Sequence, residues 1–206
     1  MDAICAIAVC VAGYLLGSVP TGYLVGRAKG VDLRNVGSGN IGATNAMRVL
    51  GKPIGVAVLI VDALKGYLAC TVVTGAVLGL RGIELAHAEP YRVVAGAAAV
   101  VGHSFTCWLR FRGGKGVATG AGVFAALAPG ALAVAAVAWV IVLALTRYVS
   151  MASIVAALAL AAGVWLGAAS PLLRAVATAV ALLVVLRHSS NIKRLLAGTE
   201  HKFGQA

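Results

Sequence analysis

Residues 117–146, VATGAGVFAALAPGALAVAAVAWVIVLALT, run for 30 positions without a charge and are interrupted once, at Pro129-Gly130. A helix needs roughly 20 apolar residues to cross the hydrocarbon, with about 17 the lower limit. The stretch is therefore long for one crossing and short for two, and the choice decides on which side of a membrane everything downstream lies. Working outward, apolar runs occupy 3–26, 53–80 (interrupted by Asp62 and Lys65), 93–109, 149–167 and 171–186. With two short crossings joined near Pro129, seven helices cross in all. Arg27, Lys29, Arg34, Arg48, Lys52, Arg110, Arg112, Lys115, Arg147, Arg187, Lys193, Arg194 and Lys202 then share one side, against Arg81, Arg92 and Arg174 on the other. Basic residues collect on the cytoplasmic side of membrane proteins. A single crossing would instead send Arg187, Lys193 and Arg194 outside. The expected architecture is an all-α bundle of seven transmembrane helices, some short, with the N-terminus outside and the C-terminus cytoplasmic. A five-crossing version, with the hairpin partly inserted, has the same parity.

Composition agrees with that class. Of 206 residues, 61% are hydrophobic and 11% charged, and the mean hydropathy is +0.99, far from soluble averages. One membrane domain over 1–206 is expected, without linker tracts or solenoid repeats. Asp2 precedes the first apolar run and no basic leader region is visible, so that run reads as a retained span. The formal net charge of +11 fits topology signals and phosphate or head-group binding better than nucleic acid, for which no motif is present. Cys5, Cys10, Cys70 and Cys107 lie in apolar runs without metal-ligand spacing and read as small buried hydrophobes.

Two glycine-rich basic loops stand between the spans. The first is Val36-Gly37-Ser38-Gly39-Asn40-Ile41-Gly42-Ala43-Thr44-Asn45-Ala46-Met47-Arg48, and the second is Phe111-Arg112-Gly113-Gly114-Lys115-Gly116-Val117. Glycines let backbone N–H groups approach an anion, and Arg or Lys supplies the opposite charge. Neither loop is a Walker A or Rossmann motif, and turn punctuation or a cytoplasmic basic turn is the plainer alternative for each. The polar residues packed around the first set of glycines, and the two amides beside Lys115, favour phosphate. The expected topology places both loops and the C-terminal segment at the cytoplasmic face. Thr44 or Asn45 is expected to cap a short helix reaching Leu50, stopped by Gly51-Lys52-Pro53, with an anion-favouring N-terminus.

Other groups lie within or beside the spans. His103 is an intramembrane histidine, a functional candidate or a packed donor to a carbonyl. His188 and Asn191 are three apart at the end of the last span and share a helical face; topology requires neither. Asp62 and Lys65 are expected to form an i, i+3 pair facing the bundle interior, in a structural role. With six acidic residues and no acidic cluster, no metal and no cofactor is expected. No nucleophile elbow or Cys–His pair appears.

At these positions the chain resembles the acyl-phosphate:glycerol-3-phosphate acyltransferase family, the PlsY type. The resemblance lies in Gly17-Ser18-Val19-Pro20-Thr21-Gly22 with Gly37 to Asn45, in Asp62-Ala63-Leu64-Lys65-Gly66, in Gly102-His103-Ser104-Phe105 with Arg112 to Val117, and in Arg187-His188, Asn191-Ile192 and Arg194-Leu195. Order and spacing match over nearly the whole chain. The resemblance implies acyl transfer from acyl phosphate to sn-glycerol 3-phosphate among membrane lipids, at the cytoplasmic face of a bacterial inner membrane. It implies that Ser38, Arg48, Lys115, His188 and Asn191 bind and orient the acceptor. It also implies that Gly37, Ser38, Gly39, Asn40, Gly42, Thr44 and Asn45, with Gly113 and Gly114, hold the donor. The donor phosphate itself, or His188, takes the hydroxyl proton. The opposing class is a transporter or channel for a phosphorylated solute.

Overall fold

The computed structural model describes residues 1–204, and among the described residues every regular element is helical. The helices are α1 (Ala3–Ser18), α2 (Thr21–Ala28), α3 (Ala43–Leu50), α4 (Lys52–Leu68), α5 (Thr74–Gly79), α6 (Glu89–Ser104), α7 (Val117–Leu127), α8 (Pro129–Thr146), α9 (Val149–Leu166), α10 (Pro171–Arg187) and α11 (Ser189–Leu196). The chain separates into two compact units, Met1–Leu127 and the residues from Ala128 onward, where the sequence suggests one domain. The boundary falls between α7 and α8, at the residue before Pro129, whose backbone is pushed out of the helical region (φ −150°, ψ 66°).

Five helical segments are long and apolar enough to cross a membrane: Ala3–Ala28, Lys52–Gly79, Glu89–Leu109, Pro129–Thr146 and Val149–Leu166. A sixth is available if α10 and α11, bent by 55°, count together. The uncharged stretch that decides parity divides unequally. α8 has 18 residues and α7 only 11, so at 1.5 Å per residue α7 reaches about 16 Å into a core of about 30 Å.

In the first unit, helices approach on small residues. Added to Gly17, a Cβ would collide with the Ala99 carbonyl of α6, and a Cβ on Gly122 of α7 would collide with the Ala63 carbonyl of α4. Lipid gives no hydrophobic drive for helix association, so close van der Waals contact across small residues carries it. The span Ala3–Ala28 is broken at Val19-Pro20, and Pro20 has no N–H with which to continue the ladder. The carbonyls at the break are met inside the protein: the Thr106 hydroxyl donates to Ser18 O at 2.6 Å, and Lys65 Nζ donates to Val19 O at 3.0 Å. Lys65 is paired with Asp62 at 2.9 Å, with both side chains about 95% buried. The expected i, i+3 pair is present, and its partner on the other side is the broken helix.

A π-helical turn, Ala69–Val73, separates α4 from α5. Thr74 closes it by donating to Ala69 O at 2.9 Å. In the second unit α8 packs on α9 and α9 on α10. Of the four cysteines, Cys5 and Cys70 are buried as expected. Cys10 is instead exposed on α1 and Cys107 half-buried, because helical periodicity gives even an apolar span an outer face.

Two glycines separate packing from propensity. Gly122→Ala is expected to lower stability by about 1–3 kcal/mol through overpacking. Gly75→Ala in α5, with nothing within 4 Å of the added carbon, is expected to be neutral or stabilising by up to about 1 kcal/mol. Thermal unfolding of the two purified variants beside the parent protein measures the difference.

Candidate active site

The first glycine loop is organised around one side chain. Asn45 is 1% exposed. Its Nδ2 donates to Leu33 O and Val36 O at 3.1 Å and to Asn40 O at 2.9 Å, and its Oδ1 accepts the Ser38 N–H at 2.8 Å. Asn45 therefore binds the loop to itself, and its two amide hydrogens are spent there. Gly37 and Gly39 take positive φ values of 62° and 69°, which lets the chain curl round the amide. Asn40 closes a smaller turn, accepting from Gly42 N–H at 2.7 Å.

The short helix at the end of this loop exists as α3, but its N-cap is Gly42. Thr44 and Asn45 are the second and third residues of the helix, in its first turn, so neither is its N-cap. Gly51, at φ 95°, separates α3 from α4. Leu33, Ala46 and Val58 are fully buried beneath the loop. Ser38, Thr44 and Arg48 are exposed above it. At the loop's root, the Arg34 guanidinium grips Asp32 at 2.6 Å and lies 4.7 Å from the Tyr23 ring centre. Hydrogen bonds from Arg34 hold the Asp32 carboxyl at a pKa of about 2.

The second loop is held by backbone. Gly113 N–H donates to Ser104 O at 3.1 Å and Gly114 N–H to His103 O at 3.0 Å. These two amides, expected from the sequence to face an anion, are engaged with the C-terminal end of α6. Three residues here have left-handed backbones, Arg110 (53°), Phe111 (61°) and Gly116 (82°). The first two are not glycines and are held by Phe111 N–H donating to Thr106 O at 2.9 Å and Arg112 N–H to Leu109 O at 3.1 Å. The charge of the loop is carried by Arg112, exposed, and Lys115, half-buried.

In the second unit, His188 is the joint between α10 and α11, and its side chain is 3% exposed. Its Nδ1 stands 2.7 Å from Val184 O. A carbonyl only accepts, so Nδ1 carries a proton directed at it. Asn191 follows in the first turn of α11 and is 5% exposed. Its Nδ2 donates to Glu200 Oε1 at 2.6 Å; Ser150 Oγ donates to the same oxygen at 2.8 Å and Arg194 Nε to Oε2 at 2.7 Å.

Glu200, which sequence reading passes over, is the hub of this unit's polar cluster. Burial tends to raise its pKa. The hydrogen bonds from Asn191, Ser150 and Arg194, with the Arg194 charge, outweigh burial and hold it below the ordinary value. An acid among the basic residues of the C-terminal segment was the available signal. The segment beyond α11 is also tied back at Phe203, whose N–H donates to Arg147 O at 2.7 Å.

The described residues form a helical membrane protein with broken spans and two basic glycine loops in the first unit and a buried His–Asn joint in the second. Comparison with known proteins gives the family. A family model described as Glycerol-3-phosphate acyltransferase matches residues 7–198. The chain is 46% identical over 190 residues to a glycerol-3-phosphate acyltransferase of Trichlorobacter lovleyi, covering 92% of this chain and 93% of the relative. It is 47% identical over 204 residues to that of Desulforudis audaxviator, covering 98% of each. The fold matches a crystal structure of PlsY (YgiH), an integral membrane glycerol 3-phosphate acyltransferase, in its glycerol 3-phosphate form. The TM-score is 0.87 at 37% identity, covering 97% of this chain and 96% of the other. The chain belongs to the glycerol-3-phosphate acyltransferase family.

Glu200→Ala removes the shared acceptor of three donors and is expected to cost on the order of 3 kcal/mol, with loss of activity. The lowered pKa means that Glu200 contributes fully above the ordinary carboxylate value of about 4.3. That contribution is lost as pH falls through the lower folded value. Thermal unfolding of Glu200→Gln and the parent across pH 3–7 is expected to show this acid limb in the parent and its absence in the variant.

Proposed function

We propose that the chain transfers a fatty acyl group from acyl phosphate to sn-glycerol 3-phosphate. The products are lysophosphatidic acid and inorganic phosphate, made at the cytoplasmic face of a bacterial inner membrane. The observation that carries the acyltransferase reading is near-full-length identity of 46–47% to glycerol-3-phosphate acyltransferases. The transporter reading falls with it. Acyl phosphate as the donor is supported by chemistry: donor and acceptor would both carry phosphate, and the chain offers two separate basic loops.

In this reading Ser38, Arg48, Lys115, His188 and Asn191 bind and orient the acceptor. The loop from Gly37 through Ser38, Gly39, Asn40 and Gly42 to Thr44 meets the donor phosphate. Asn45, Gly113 and Gly114 serve by holding the loops. The acceptor hydroxyl attacks the acyl carbon, the carbon–oxygen bond to phosphate breaks, and the phosphate leaves with the hydroxyl proton. An acyl phosphate is a mixed anhydride with a good leaving group, so positioning and charge stabilisation supply most of the acceleration. His188 is suited to hydrogen-bond the acceptor hydroxyl and align it.

The reaction is tested with purified protein, acyl phosphate and labelled glycerol 3-phosphate in detergent, with acyl-CoA and acyl carrier protein thioester as competing donors. Lysophosphatidic acid is expected from acyl phosphate alone. Lys115→Ala is expected to lose about 2–3 kcal/mol of transition-state stabilisation, tens- to hundreds-fold in rate, without unfolding. Product formed only from a thioester donor would overturn the donor assignment. Near-normal turnover in Lys115→Ala would overturn the role of Lys115.

Orientation is tested separately. Single cysteines at 115 and at the exposed position 193, in a protein cleared of its own cysteines, are expected to resist impermeant thiol reagent in intact cells and to react in inverted vesicles. A cysteine at position 1 is expected to do the reverse. Labelling of position 193 from outside would overturn the seven-helix topology.

A further inference from the structure

The reaction above leaves unused a buried ionic cluster in the first unit, and that cluster lies against the second glycine loop. Asp62 and Lys65 of α4 are 2.9 Å apart. Asp62 Oδ1 also accepts the Thr21 hydroxyl at 3.0 Å and stands 3.7 Å from Nδ1 of His103, near the end of α6. The three ionisable side chains are 3–6% exposed. The far edge of the same imidazole faces the loop: a Cβ built on Gly114 would collide with His103 Nε2, and its Cε1 would lie at 2.8 Å. One residue before, a Cβ on Gly113 would collide with the His103 carbonyl. The Gly114 N–H donates to that carbonyl at 3.0 Å.

His103 thus touches the loop twice, through its carbonyl and through its ring, while Asp62 faces the ring from behind. The contact explains a glycine at 114, where any side chain would displace the loop from the ring. It also gives the buried carboxylate a second task beside pairing with Lys65.

We propose that His103, backed by Asp62, is a positioning residue for the anion-binding loop. The ring is the seat on which Gly114 rests, and the seat sets where the Lys115 ammonium stands relative to the acceptor phosphate. The inference rests on the proposed role of Lys115. Asp62, Lys65 and Thr21 lock the seat from within the membrane, and Gly113-Gly114 transmits its position to the next residue. The ring takes no part in the chemistry.

The test uses His103→Asn in the full-length protein. Asparagine places an amide nitrogen near the position of Nδ1, so Asp62 keeps a donor, but it lacks the outer half of the ring under Gly114. The apparent KM for glycerol 3-phosphate is expected to rise tenfold or more, and that for acyl phosphate to change less than twofold, with a thermal midpoint close to that of the parent. A purely structural defect lowers the active fraction, and so the apparent kcat, while leaving both KM values unchanged. A double-mutant cycle with Lys115→Arg supplies the second readout. If the ring acts through Lys115, His103→Asn costs less than threefold in the Lys115→Arg background, whereas independent effects multiply in full.

Gly114→Ala disturbs the same contact without touching the buried ions and is expected to reproduce the KM pattern. It decides the matter if His103→Asn does not fold. Unchanged KM for glycerol 3-phosphate in the folded variant, or full multiplicativity, overturns the inference. An unchanged KM in Lys115→Ala overturns instead the role of Lys115 on which it rests.

Discussion

A bilayer gives a polypeptide nothing with which to satisfy a carbonyl that has lost its helical partner, and the first unit is built around that constraint. The span Ala3–Ala28 breaks at Pro20, and the carbonyls of Ser18 and Val19 are answered by Thr106 and Lys65. Supplying an ammonium to Val19 means burying a charge, so Asp62 is buried with it. Asp62 then gathers Thr21 from the far side of the break and faces His103 of α6. One interruption of one helix thereby ties four segments of chain together, and the second glycine loop is seated on the last of them.

The two glycine loops reach similar ends by different means. The first is closed by a side chain: Asn45 is buried and joins Leu33, Val36, Ser38 and Asn40. The second is closed by backbone against the end of α6, through Gly113 and Gly114. In both, groups that resemble an anion cradle in sequence are engaged in holding the loop. In the proposed reading the side chains around them, Ser38, Thr44 and Arg48 in one and Arg112 and Lys115 in the other, carry the chemistry. If these loops bind phosphate as proposed, they gain from this division, because their shape does not depend on the ligand to hold it together.

Hydropathy and charge were enough to read the helical membrane class and the i, i+3 pair of Asp62 and Lys65, since each depends on residues near in sequence. The division of the uncharged stretch was half legible: Pro129 marks the break, but composition alone does not say that α7 has 11 residues and α8 has 18. Contacts that join distant segments were beyond reach. Asn45 reads as a ligand or a cap because its partners, at Leu33 and Val36, precede it in an irregular loop. Gly113 and Gly114 read as free amides because the carbonyls that take them belong to α6. Glu200 was passed over because its partners come from α9 and α11, and its sign among basic residues was the one mark it carried in the sequence.

The pairing of Asp62 with Lys65 within a single helix also bears on how the protein is made. A segment entering the bilayer with a lone Lys would have to wait for a partner from another helix. α4 carries its own counter-charge one turn away, and so can enter as a locally neutral unit. What Lys65 still lacks at that moment is the Val19 carbonyl, and the broken helix that holds it has already been synthesised. The defect in the earliest span is in this sense a docking point left open for the second. Each element completes what the other needs, and the order of the chain supplies them in sequence.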